Sequence, residues 1–162
     1  MKKTILVIAT TSLLMATTAM AAVIDKKAIR AADANIAEQV AVMKSDCGNT
    51  SLEVNVVWDD VKGMIKTNKD ALKSDNYKGV WVLSHTGERT VAALEAMSKI
   101  CKTDADYKEE LAKVTNIIVK PKAKFDDSKS AFSFAETTIT IESGHRMTRS
   151  ASDFITPIKS LF

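Results

Sequence analysis

Apolar and polar positions along the chain divide it into one continuous apolar opening and a series of shorter periodic segments. After Met1-Lys2-Lys3, no charged residue occurs from Ile5 to Ile24. From Asp25 onward the pattern becomes amphipathic. Ile29, Ala32, Ile36, Val40 and Met43 recur every three or four residues, which puts them on one face of a helix. The spacing predicts a helix over 25–46, with Asp25 as its cap and Cys47-Gly48-Asn49 as its stop. Leu52, Val54, Val56 and Trp58 then alternate with Glu53, Asn55 and Val57, and the β-branched content favours a strand over 52–58. Val54, Val57, Val61 and Ile65 also form a helical stripe, so strand and helix compete over 52–58. A short helix over 59–66 and a polar helical turn with loop over 67–78 follow.

The run Gly79-Val80-Trp81-Val82-Leu83 reads as a short strand. Val91, Leu94, Met97 and Cys101 predict a helix over 88–101, capped by Ser84 or Thr86. Thr103 is expected to cap the next helix, whose stripe is Tyr107, Leu111 and Val114, with Glu109 and Lys113 as an i,i+4 pair. The last third changes period. Residues 116–120 are a β-branched run stopped by Pro121, and 122–129 a charged loop. Residues 131–142 read as one strand, with Phe132 and Phe134 on one phase and Ile139 and Ile141 on the other. That switch suggests a bulge near Glu136. Ser143-Gly144 is expected to turn the chain into a partner strand over 145–150. A short C-terminal helix limited by Pro157 completes the chain. Helices in the first two thirds and strands in the last predict an α+β domain, with the helices packed on a small antiparallel sheet.

The opening stretch has the layout of a secretory signal. Two lysines precede a short apolar core, and Ala19-Met20-Ala21 presents small residues where a signal peptidase requires them. Cleavage is expected between Ala21 and Ala22, leaving 141 of the 162 residues as a single globular domain, 22–162. The rival reading, an uncleaved anchor, is weakened by Thr10, Thr11, Ser12, Thr17 and Thr18 and by thinning of Leu, Ile and Val after Met15. The address changes the reading of charge. The full chain has 23 basic and 20 acidic residues, and cleavage removes Lys2 and Lys3 but no acid, so 21 and 20 remain. Such a balance gives no electrostatic reason to expect nucleic acid as a partner, and no later apolar run is long enough to span a bilayer. In an oxidising compartment Cys47 and Cys101, the only cysteines, are expected to form a disulfide.

No catalytic, cofactor or metal motif emerges. His85 has Glu88 three residues on, and His145 sits in Glu142-Ser143-Gly144-His145-Arg146. If the two loops met, these groups would suit proton transfer or metal binding. Isolated histidines match no ligand spacing, so solvated loop residues are the plainer expectation. Asp59-Asp60 and Asp126-Asp127 lack the spaced oxygens of a calcium loop. Trp58 and Trp81 read as core residues that would anchor a partner if exposed. Trp58, His85, Glu88, His145 and Arg146 are thus the surface candidates, and Arg149 adds charge beside the last of them. Asn49-Thr50-Ser51 matches a glycosylation acceptor, which a bacterial type of signal makes a coincidence.

The layout resembles small periplasmic inhibitor or immunity proteins in its signal, size and single disulfide, with no motif from which residue roles transfer. The expected function is non-enzymatic: binding to another periplasmic or envelope protein, with no cofactor. The alternatives are a small hydrolase using His85 or His145, and an envelope ligand-binding protein with an apolar pocket.

Overall fold

A computed structural model describes residues 12–124 and 126–162, with the backbone alone for 12–21. The expected export segment therefore lies outside the residues whose side chains are described. Six helices and four strands follow in order among the described residues: α1 (Ser12–Cys47), β1 (Glu53–Val56), α2 (Trp58–Thr67), α3 (Lys69–Ser74), α4 (Gly79–Thr103), α5 (Ala105–Ala112), β2 (Asn116–Pro121), β3 (Ala131–Ala135), β4 (Thr138–Ser143) and α6 (Ser152–Lys159). The fold is α+β. No helix among the described residues is long and apolar enough to cross a membrane.

The strands form one mixed sheet in the order β1-β2-β4-β3. Only β3 and β4 are antiparallel; β1 with β2 and β2 with β4 run parallel. The parallel pairing of β1 with β2 follows from the connection, since α2 to α5 carry the chain back before β2 begins. Register aligns two rows across the sheet. One is Val54, Ile117, Ile139 and Phe134; the other is Val56, Val119, Ile141 and Phe132. These rows face the main core with Met43, Leu94, Met97, Ile100, Leu111, Phe154 and Ile158. The opposite face shows polar residues such as Asn55, Thr140 and Ser133, so the sheet is covered on one side. A second apolar cluster joins Val61, Met64, Leu72, Val82 and Leu83.

Several local expectations change for tertiary reasons. Residues 79–83 open α4 instead of forming a strand. Val82, Thr86, Ala93 and Met97 are all buried at helical spacing along it, and that burial outweighs the β preference of Val80 and Val82. Ser84 and Thr86 therefore lie inside the helix, where the Thr86 hydroxyl donates to the Val82 carbonyl at 2.9 Å. Asp25 is likewise internal to α1 and caps nothing. Thr103 closes α4, donating to the Lys99 carbonyl at 2.9 Å, while Asp104 precedes α5 and accepts from Lys159 at 2.8 Å. The phase switch in 131–142 is a tight hairpin turn at Glu136 (φ +56°) and Thr137, not a bulge. The turn returns Phe132 and Phe134 to the same face as Ile141 and Ile139. Residues 145–150 pair with no strand; they form an irregular segment laid against α4.

The disulfide is present, joining Cys47 to Cys101 with Cα atoms 5.1 Å apart. It ties the end of α1 to the last turns of α4. Beside it, Asn49 is buried and fully committed. Its Nδ2 donates to the carbonyls of Leu111 (3.0 Å) and Val114 (2.6 Å), and its Oδ1 accepts from the amides of Ser51 and Leu52. An amide so enclosed offers no acceptor nitrogen to a glycosylating enzyme.

Candidate functional site

One face of α4 carries Trp81, His85 and Arg89 at successive i,i+4 positions, and the segment 144–149 lies across it. Tyr77, just before the helix, joins them. Its hydroxyl lies 2.6 Å from His85 Nδ1 and 3.0 Å from the His145 carbonyl, which is also 3.0 Å from His85 Nδ1. One proton assignment satisfies all three contacts. Tyr77 donates to the carbonyl, and His85 carries its proton on Nδ1, shared between the Tyr77 oxygen and the same carbonyl. Were Tyr77 to donate to His85, two acceptors would face each other at 3.0 Å. Partial burial raises the Tyr77 pKa, against the lowering effect of Arg89 and Arg146.

The two histidines thus meet through a main-chain carbonyl, not ring to ring. His145 is not a surface residue. It is fully buried, its Nε2 donates to the Lys122 carbonyl at 3.3 Å, and its Nδ1 has no partner among the described residues. Burial, with lesser contributions from Arg89 and Lys122, depresses its pKa to about 4, against the raising effects of its bond to Lys122 and of Asp127. The ring is neutral at physiological pH.

Arg89 is the larger surprise. It is 1% exposed, yet its contacts are neutral oxygens. Nε donates to the Met147 carbonyl at 2.6 Å, and one terminal nitrogen to the Ser128 carbonyl at 2.8 Å and Ser130 Oγ at 3.3 Å. Arg89 therefore pins both the 126–130 and 144–149 segments to α4. Burial, then Arg149, lowers its pKa to about 10, so it stays charged at neutral pH. Gly144 lets these segments close. A β-carbon there would sit 2.7 Å from the Asp127 carbonyl oxygen and 2.8 Å from that of Lys129. Gly144→Ala must push backbone apart, and is expected to cost about 2 kcal/mol, within the usual range for overpacking. Urea unfolding checks this; an unchanged midpoint would show that the loop yields freely.

The other candidates separate. Trp58 is half-buried and structural: it packs on both clusters, and its Nε1 donates to Asp33 at 2.8 Å. Glu88 is exposed on α4. Arg146 pairs with Asp75 at 2.8 Å. Trp81, expected in the core, is instead 42% exposed, with Tyr77 edge-on to it and Lys78 over its ring. Met147 is 56% exposed on the segment that Arg89 holds. An open depression of about 760 Å³ lies elsewhere, at the end of β2. It contains neither histidine, and two of its lysines are matched by acids, Lys120 by Glu142 and Lys122 by Asp127. Among the described residues, no three His, Cys, Asp or Glu side chains stand together as a metal site.

Sequence reasoning missed Tyr77, Arg89 and Ser130. Arg89 had a readable signal, since it interrupts the stripe Val82, Thr86, Ala93 and Met97 with a charge. Tyr77 and Ser130 sit outside helices and strands, and no periodicity marks them. No protein-family model, curated protein or solved structure matches this chain.

Proposed function

We propose that the chain is exported, loses residues 1–21, and works in the cell envelope by binding another protein, without catalysing a reaction. The observation that carries this reading is the pairing of exposed Trp81 and Met147 with a rigid base. They stand on two elements locked together by Tyr77, His85, the His145 carbonyl and Arg89. Exposed aromatic and thioether groups on a preorganised base suit an interface hot spot. Arg146 and Asp75 supply charge beside it. A hydrolase built on His85 and His145 has no such support, because one ring is sealed in the interior.

Photocrosslinking from position 81 in living cells tests the reading. A discrete crosslinked protein is expected, lost when Met147 is replaced by Asp. Trp81→Ala should leave the unfolding midpoint nearly unchanged, since an exposed side chain away from caps and core contributes within about 0.5 kcal/mol. A crosslink pattern indifferent to Met147→Asp would defeat the proposal. The mass of the exported product checks the address: it should begin at Ala22, and a species retaining Met1 would contradict export with cleavage.

A further inference from the structure

Two guanidinium groups converge on one neutral carbonyl. Arg89 donates to the Ser128 oxygen at 2.8 Å and Arg149 donates to the same oxygen at 3.2 Å. No carboxylate forms an ion pair with either among the described residues, and one terminal nitrogen of Arg89 is buried without a partner. Buried charges are normally paired, because desolvation costs several kcal/mol per ion. Among the described residues, positive charge is concentrated here with no ion-paired counter-charge, Asp127 and Asp153 acting on Arg89 only at longer range.

Ser130 makes the second, independent observation. Its oxygen accepts from Arg89 at 3.3 Å and from the Gly144 amide at 3.2 Å. Both donors are N–H groups, so both lone pairs are taken and the hydroxyl can engage a third partner only by donating. No acceptor among the described residues takes that proton. Ser130, Arg149 and Lys129 line a pocket of about 280 Å³, whose remaining wall is Asp153, Phe154 and Pro157. The Asp153 carboxylate is turned to the start of α6, where it accepts from the amide (2.8 Å) and hydroxyl (3.0 Å) of Ser150. Nearby Asp127 is engaged by Lys122 at 2.9 Å. The lining cations Lys129 and Arg149 therefore outweigh the one acid of the wall, and Arg89 adds a third positive charge from behind Ser130.

We propose that this pocket binds a small oxyanion, a phosphate or carboxylate group. Ser130 Oγ–H and the Arg149 guanidinium are its direct donors, and Arg89 is the buried counter-charge behind Ser130. A planar guanidinium fork suits an oxyanion better than a lysine point charge does. Phe154 and Pro157 offer an apolar wall to any organic body the anion carries. The two sites share only Arg89, a supporting residue in each, and the Ser130 and Arg149 variants leave it in place, so the two proposals are tested separately.

Calorimetric titration of the mature protein at pH 7 tests it. One arm uses inorganic phosphate, a second succinate, and a third sodium chloride at matched ionic strength. Saturable binding is expected in the phosphate or the succinate arm and not with chloride, and whichever arm binds identifies the source of the oxyanion. Ser130→Ala and Arg149→Gln should each weaken it at least tenfold. Arg149→Lys keeps the charge but removes the fork, so it should retain only part of the affinity; this variant answers the question even if Ser130→Ala folds poorly. Equal responses to all three salts, or full-strength binding in both Arg149 variants, would overturn the proposal.

Discussion

Removing the Cys47–Cys101 bridge is expected to cost about 4 kcal/mol of stability, the chain-entropy value for a closed loop of roughly 55 residues. The two sulfurs are 54 residues apart in sequence, and both cysteines are buried. The bridge links the end of α1 to α4, and α1 also contributes Ile36 and Met43 to the main core. Without the link, the unfolded chain gains the freedom of the whole intervening segment, which includes β1, α2 and α3. Urea unfolding of the Cys47→Ser, Cys101→Ser double variant against the oxidised parent measures the difference. Both thiols are replaced together so that no buried thiol is left to cross-link molecules. A loss below 1 kcal/mol would mean that the unfolded chain keeps α1 and α4 together unaided. Gel mobility with and without reductant gives an independent check that the parent is bridged.

Acid is expected to destabilise the protein through His145 alone by about 3 kcal/mol between pH 6.5 and pH 4, taking 1.36 kcal/mol per unit of pKa difference. The folded pKa is about 4, below the ordinary 6.5, because burial disfavours the charged ring, and a proton added at Nδ1 would meet no acceptor among the described residues. Well above pH 6.5 the ring is neutral in both states, and the full stability is present. Below it, the unfolded chain takes up a proton that the folded chain refuses, so stability falls as pH drops. Near pH 4 the folded ring also titrates and the loss from this group levels off. About 2 kcal/mol should already be gone at pH 5 by the same linkage. The groups around the ring, Arg89, Lys122 and Asp127, bear on this result. The Asp127 carboxyl is held below its usual pKa chiefly by its bond to Lys122, so its own contribution is lost at lower pH. The difference between wild type and His145→Gln, followed by urea unfolding from pH 7 to pH 4.5, isolates the histidine. Parallel curves for the two proteins would show that His145 does not titrate with unfolding.

The parts legible without coordinates are those set by local periodicity. The stripe Ile29, Ala32, Ile36, Val40 and Met43 marked α1 because a helix repeats its face every 3.6 residues whatever it packs against. The competition over 52–58 resolved at Trp58. Residues 53–56 extend along β2, while Trp58 turns into α2 with its indole bonded to Asp33, a partner 25 positions earlier. The hairpin was misread because a two-residue turn at Glu136 and Thr137 and a one-residue bulge both shift alternation, and only strand pairing tells them apart.

The candidate site was less legible, because its contacts are long-range and polar. His85 and His145 were visible as residue types. That one is fixed by Tyr77 and the other sealed against Lys122 depends on bonds spanning 8 to 68 positions. Trp81 lay within an apolar run that looked like core, yet α4 turns it outward because Val82 and Leu83 take the buried face.

The sequence by itself determined the order of helices and strands in outline, the α+β class and the single possible pairing of two cysteines. These rest on counting and on short-range period, which the unfolded chain already contains. The tertiary structure decided that the sheet is mixed, that Trp81 is exposed while His145 is sealed, and that Arg89 and Arg149 share a carbonyl beside Ser130. Those outcomes depend on which distant segments come to lie together, and on the dielectric and hydrogen-bond partners each side chain then meets; no local pattern encodes either.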